Sequence, residues 1–552
     1  MYRFRCAAGS RSITTPAGAA EAGPSPLDRR TFLCSVSALG TVATLGASRA
    51  WSDSGSASAP IVHTSYGPVQ GRIEDGIYAF RGIRYAAAPT GARRFLPPVP
   101  PTPWKAVADA QRFGAASIQS GGQPDAPSDE TYSEDCVFLN VWTAGLERSK
   151  RPVMVWLHGG AFSTGAAGRP TYYGDHFARD GVVLVSVNHR LNVFGFTQLP
   201  DSWGPAYASS GLAGMLDIVE ALRWVQKNIA RFGGDPNNVT IFGESGGGAK
   251  VSLLLGMPPA KGLYHKAIIQ SGAGLDAAPR KYAQALGGAL MEQLKVSAGD
   301  TAALAGLDTK KIFDAQTAAI SQVKNQAPNG FLIDGFVPSI DGQALPRGPF
   351  TPDAPAMAAN IPLIIGTNKD EMRLFMLNAP GIATQTDEQF EKAVREAYPE
   401  SAERIILAMR AAYPGSTPGD LTIALATARS FWLNSIVLAE RKLRQPAPLW
   451  MYRMDWPSPI GNMRAAHAME LSFVFGTYDR IRHFVGPGDG PARMAKQMHA
   501  AWVQFAKSGD PNTAAIPAWP RYDTAVRNTM IFDLESRVES DPLGPLRKLM
   551  LT

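Results

Sequence analysis

Apolar positions along the chain fall into two alternating rhythms. Short apolar runs, Val137 to Trp142, Val153 to Leu157, Gly181 to Val187, Val239 to Phe242, Lys266 to Gln270, Leu363 to Gly366 and Leu449 to Met454, have the length of strands. The run Gly181 to Val187 lacks polar alternation, which predicts a strand covered on both faces. Between runs, Met215 to Ile229 carries Ile218, Leu222, Val225 and Ile229 at helical spacing and stops near Gly233-Gly234-Asp235-Pro236, a turn. Residues 276–330, rich in Ala, Gln and Lys, and residues 378–445 predict helical blocks capping the carboxyl edge of the sheet. Strand and helix in alternation give an α/β fold: a mostly parallel sheet with helices on both faces. Ahead of it, Ile61 to Gly114 alternates short strand-like runs with turns, a small antiparallel lead-in to the main sheet; Gly114 to Thr131 reads as a loop. No internal repeat is present.

Composition narrows the classes. Over 552 residues, 45% are apolar and only 18% charged, enough for one large core and unlike a disordered chain. The first fifty residues stand apart. Asp28-Arg29-Arg30-Thr31-Phe32-Leu33, the uncharged run Ser35 to Ala47 and Ser48-Arg49-Ala50 have the layout of a twin-arginine export signal. The run is too short and too polar to span a membrane. This predicts an exported, periplasmic or secreted protein cleaved after Ala50, a linker over 51–60, one domain over 61–552, and no stable membrane anchor. The leader holds six Arg and two acidic residues, so the net charge of +7 falls to about +3 without it, which is no nucleic-acid-binding balance. Of three cysteines, Cys6 and Cys34 lie in the leader; Cys136 alone cannot form an internal disulfide and reads as a small buried hydrophobe.

The chemistry begins where the strand Val239 to Phe242 runs into Gly243-Glu-Ser245-Gly-Gly247, a G-x-S-x-G pattern. A serine on so tight a strand-to-helix turn is held in a strained conformation, and glycines on either side leave room for it. Its hydroxyl then stands at the positive end of the next helix. A serine hydroxyl needs a base, and His467, in Asn462-Met-Arg-Ala-Ala-His-Ala-Met-Glu470, lies in a late loop suited to that role. The base needs a carboxylate to fix its tautomer: Glu371, just after the Leu363 to Gly366 strand, is the candidate, with Asp370 its competitor. Amide donors for an oxyanion are offered by His158-Gly159-Gly160-Ala161-Phe162 and by Gly246. The order Ser245, Glu371, His467 is that of α/β-hydrolases.

These blocks, with Phe80-Arg-Gly-Ile-Arg-Tyr-Ala86, Glu134-Asp-Cys-Val-Phe-Leu-Asn-Val141, Asn188-His-Arg190, Phe232-Gly-Gly-Asp-Pro236, Gln270-Ser-Gly272 and Glu470-Leu-Ser-Phe-Val-Phe-Gly476, resemble the type-B carboxylesterases over nearly the whole mature chain. The resemblance implies an α/β-hydrolase fold with helical cap segments and a carboxylesterase working through an acyl-enzyme. It implies Ser245, Glu371 and His467 as catalytic residues and Gly160, Ala161 and Gly246 as oxyanion donors, with a small-molecule ester as substrate and no cofactor. Departures are Ala161 for a third glycine, where a positive φ would cost about 1–3 kcal/mol. Gly246 replaces a more usual alanine and leaves the elbow more permissive; Ala468 replaces a glycine, and Ser117 a cysteine.

Rival readings are a catalytically silent adhesion module, an amidase or carbamate hydrolase, and a phosphate-binding loop. The last fails because Lys250 falls one place late for that pattern and no Ser or Thr follows it. His467 and Glu470 have no second histidine beside them to make a zinc site. Phe162, Phe431 and Trp432 are candidates for the pocket wall or for the core.

Overall fold

The apolar runs pair into one 11-stranded sheet. A computed structural model describes residues 59–120, 126–328, 330 and 332–551; the leader and residues 51–58 of the linker lie outside them. Its strands are β1 (Arg72–Glu74), β2 (Ile77–Arg84), β3 (Phe138–Thr143), β4 (Arg151–Leu157), β5 (Val183–Val187), β6 (Gly234–Glu244), β7 (Lys266–Gln270), β8 (Leu363–Asn368), β9 (Leu449–Met454), β10 (Asn528–Phe532) and β11 (Arg537–Ser540). They lie in the order β11-β10-β9-β8-β7-β6-β4-β5-β3-β2-β1. Every pairing from β5 across to β10 is parallel, and the antiparallel ones are confined to the two ends. The chain passes from β4 out to β5 and returns to β6 on the other side. Folds of this kind seat their ligands at such a reversal, beyond the carboxyl ends of the strands.

Alternate residues of one strand feed opposite cores. Val153, Val155 and Leu157 of β4 pack on one face with the helix α1 (Ala213–Asn228), while Met154 and Trp156 pack on the other with the helix α3 (Gly490–Ser508). Burying each Val, Leu or Phe contributes about 1.5–3 kcal/mol, so the two-sided core fixes strand register strongly. A third helix, α2 (Gly246–Gly256), follows β6 without a break after Ser245.

Both helical blocks are present. The first contains Arg280–Leu294, Thr301–Gly306 and Thr309–Gln322; the second Asp387–Ala397, Ala402–Ala412, Pro418–Thr427 and Leu433–Lys442. Local chemistry sets their starts: Asp300 and Asp308 cap two of them, and Thr386 with Gln389 forms a capping box. The lead-in is a correction. Ile61–His63, Pro68–Gln70 and Ala108–Asp109 make a separate three-stranded sheet, and only β1 and β2 join the main one. Of the turn expected at Gly233-Gly234-Asp235-Pro236, Gly233 does turn, at φ 79, while Gly234 to Pro236 form the irregular start of β6, where the register against β4 shifts between Gly234 and Val239. Within the expected loop, Ala116–Ser117 pairs with Tyr132–Ser133. Cys136 is free and buried, and burial pushes its thiol well above the usual range.

Candidate active site

The parallel strands end in register, Leu157 beside Gly243, Glu244 beside Gln270 and Gln270 beside Gly366. The loops that leave those ends therefore start side by side. Ser245 occupies the first of them. Its backbone sits at φ 56 and ψ −123, a strained conformation for a residue with a side chain, held by its amide on the Gln270 carbonyl at 2.9 Å and by the Ala249 amide on its own carbonyl at 3.0 Å. It is half-buried among buried neighbours. The flanking glycines answer to close approach: a Cβ on Gly247 would overlap the Leu157 carbonyl.

His467 comes from the loop beyond β9. Its Nδ1 lies 2.6 Å from Oε2 of Glu371, whose Oε1 accepts the Asn368 amide at 2.7 Å. Glu371 is fully buried, so its carboxylate can hold only that tautomer and orientation. Asp370 faces elsewhere: its amide donates to the Ala465 carbonyl at 2.9 Å and its carboxylate accepts the Ala465 amide at 3.4 Å. Of the two carboxylates, Glu371 meets the imidazole and Asp370 pins the loop that carries it.

The other ring nitrogen points the opposite way. Nε2 of His467 lies 3.0 Å from Oε1 of Glu244, the residue before the serine, and makes no hydrogen bond to Ser245 in this structure. Burial disfavours the imidazolium, but Glu244 and Glu371 outweigh it and raise His467 above its ordinary value. Burial also favours the neutral carboxyl of Glu244 and pushes Glu470 up to about 7, the latter with help from the nearby Glu371 charge. Glu470 accepts from Asn368 Nδ2 at 2.6 Å and Gln270 Nε2 at 3.1 Å, which ties the histidine loop to the ends of β7 and β8.

The amides proposed for an oxyanion sit together. Gly160 and Ala161 lie at φ 86 and φ 54, and a Cβ on Gly246 would overlap the Ala161 carbonyl. Gly246 therefore stands at a tight approach, not at a permissive one. Among the described residues, neither the Gly160 nor the Ala161 amide donates to a protein acceptor. Gly246 is the first residue of α2, whose amide has no acceptor within the helix. Ala161 and Ala468, at φ 54 and φ 64, both adopt a left-handed conformation natural to glycine.

Phe431 and Phe375 lie against the His467 ring at 4.8 and 5.2 Å. Phe431 is placed by a π-helical turn, Ala428–Trp432, while Phe375 is 55% exposed. Of the other wall candidates, Trp432 lines a small internal cavity with Tyr452 and Tyr522, and Phe162 packs edge-on to Phe196. Sequence reasoning missed Glu244, Asn368, Phe375 and the stacked pair His158–His189, 4.9 Å apart. Glu244 stood inside the elbow pattern as an unassigned position. Among the described residues no cluster of three or more His, Cys, Asp or Glu is placed to hold a metal.

The profile of the Carboxylesterase family matches residues 58–543. The chain is 37% identical to the para-nitrobenzyl esterase of Bacillus subtilis (strain 168), an alignment covering 88% of this chain and 98% of that protein. It is 32% identical to the phenmedipham hydrolase of Pseudarthrobacter oxydans, over 84% of this chain and 93% of that one. Among solved structures, carboxylesterase EST55 of Geobacillus stearothermophilus superposes with a TM-score of 0.77 at 38% identity, covering 89% of this chain and 99% of that one.

Proposed function

The chain belongs to the carboxylesterase family and hydrolyses carboxylic esters; from that premise we propose that Ser245 is its nucleophile, His467 its base and Glu371 the carboxylate that orients the base. His467 takes the Ser245 proton as the oxygen attacks the ester carbonyl. The amides of Gly160, Ala161 and Gly246 receive the oxyanion, and His467 returns the proton to the leaving alcohol. Water then releases the acid from the acyl-serine by the same route. The observation that carries this reading is the 2.6 Å pairing of a buried Glu371 with His467 Nδ1 on a loop beside the strained Ser245 turn. The test is Ser245→Ala: turnover falls roughly 10⁴–10⁶-fold with the fold intact, and labelling by an active-site organophosphonate is lost. Retention of more than about a tenth of the activity overturns the assignment.

Because His467 protonates the leaving oxygen, groups packed on its ring border the alcohol side. Phe375 and Phe431 are apolar, which favours esters with apolar or aromatic alcohol portions. Export is part of the same proposal: Arg29-Arg30 with the small-residue site at Ala50 supports it, and N-terminal sequencing of protein from outside the cytoplasm tests it.

A further inference from the structure

The mechanism above leaves one buried amine without a task. Lys250 is wholly buried in α2, five residues past Ser245. Several forces oppose it there. It is desolvated, with burial pushing its amine down to about 7 against the pull of Glu244. Two buried imidazoles, His158 and His189, lie close enough for its charge to depress their basicity, after burial itself. A leucine or methionine at position 250 would cost less to bury, so fold stability does not explain the lysine.

Its contact does. Lys250 Nζ donates to the His158 carbonyl at 2.9 Å, with the Phe162 ring 5.7 Å away. His158 is the first residue beyond β4, and the next residues are Gly159, Gly160 and Ala161. The loop holding two of the three oxyanion amides is thus gripped at its root by the helix that carries the third. We propose that Lys250 is a positioning residue for the oxyanion-binding loop, fixing the Gly160 and Ala161 amides relative to Gly246 through its hydrogen bond to the His158 carbonyl. The inference rests on the reading that these amides receive the oxyanion. It assigns Lys250 no contact with substrate; the amine acts through the backbone it holds.

A group that only positions oxyanion donors affects the tetrahedral state and leaves ground-state binding nearly unchanged. The test is Lys250→Met in the full-length enzyme, read by steady-state kinetics on p-nitrophenyl butyrate and by inhibition with an aryl trifluoromethyl ketone, whose serine adduct carries an oxyanion. The expected result is kcat lower by about 10–100-fold, KM within about threefold, and a ketone inhibition constant raised by the same factor as kcat/KM falls. A folded variant that keeps kcat within about threefold, or binds the ketone as tightly as the parent, overturns the proposal. If Lys250→Met does not accumulate folded, Lys250→Gln is read by the same criteria. A ketone that fails against the parent enzyme, or binds Ser245→Ala equally well, overturns the oxyanion reading itself and this inference with it.

Discussion

Glu244 Oε1 lies 3.0 Å from His467 Nε2, so the imidazole is held between two carboxylates, with Glu371 on its other nitrogen. The strained serine turn begins at the next residue, so the carboxylate that meets the ring is the immediate neighbour of Ser245. A base flanked in this way keeps its proton to higher pH than a free histidine.

The sign of the pH effect follows. In the proposed mechanism His467 works as a base only after losing its proton, and its folded value lies above the ordinary 6.5. Activity therefore falls as pH drops, with the acid limb of kcat/KM placed above 6.5. Glu244→Gln removes one attraction for the imidazolium, and the limb moves to lower pH by about one unit. A limb that stays put in a folded Glu244→Gln enzyme would show that the contact does not bias the base.

Neighbouring carboxylates separate by role. Glu371→Gln loses about 10³–10⁴-fold in kcat, because an amide no longer fixes the imidazole tautomer or supports its charge. Asp370→Asn keeps kcat within about threefold and lowers the urea midpoint, since its carboxylate accepts the Ala465 amide and not the ring. Reversed outcomes for the pair would exchange the two assignments.

Gly246 admits no side chain without moving the Ala161 carbonyl. Gly246→Ala is therefore expected to lower kcat/KM by about tenfold or more, although alanine is usual at this place in the family that the sequence resembles. Unchanged kinetics would mean that the Ala161 loop yields at little cost.

Phe375 is exposed and lies against the His467 ring, so truncating it spares the fold. Phe375→Ala should raise KM for 1-naphthyl acetate by about three- to tenfold and leave methyl acetate less affected, as expected from lost apolar contact on the alcohol side. Equal effects on both esters would remove Phe375 from the substrate path.

The parts written in local chemistry were legible. Strands β7 and β9 coincide with their apolar runs, Lys266–Gln270 and Leu449–Met454, because burial on both faces leaves an unbroken signal. Ser245 was recognisable from the glycines its turn requires. Less was visible at the ends: β10, β11 and α3 carry mixed patterns, and their place follows from pairing with β9 and packing on its far side. The contacts of Glu244 and Lys250 were invisible for another reason. Each meets a partner more than ninety positions away, His467 or His158, and no spacing along the chain encodes that meeting.

The serial order of the sheet also has a consequence for biosynthesis. As the polypeptide leaves the ribosome, the elbow around Ser245 can form once β4, β6 and β7 are out, but Glu371 and His467 arrive one to two hundred residues later. With the proposed triad, a nascent chain carries its alcohol unarmed through most of its synthesis, and hydrolytic competence appears only when the last third of the message has been read.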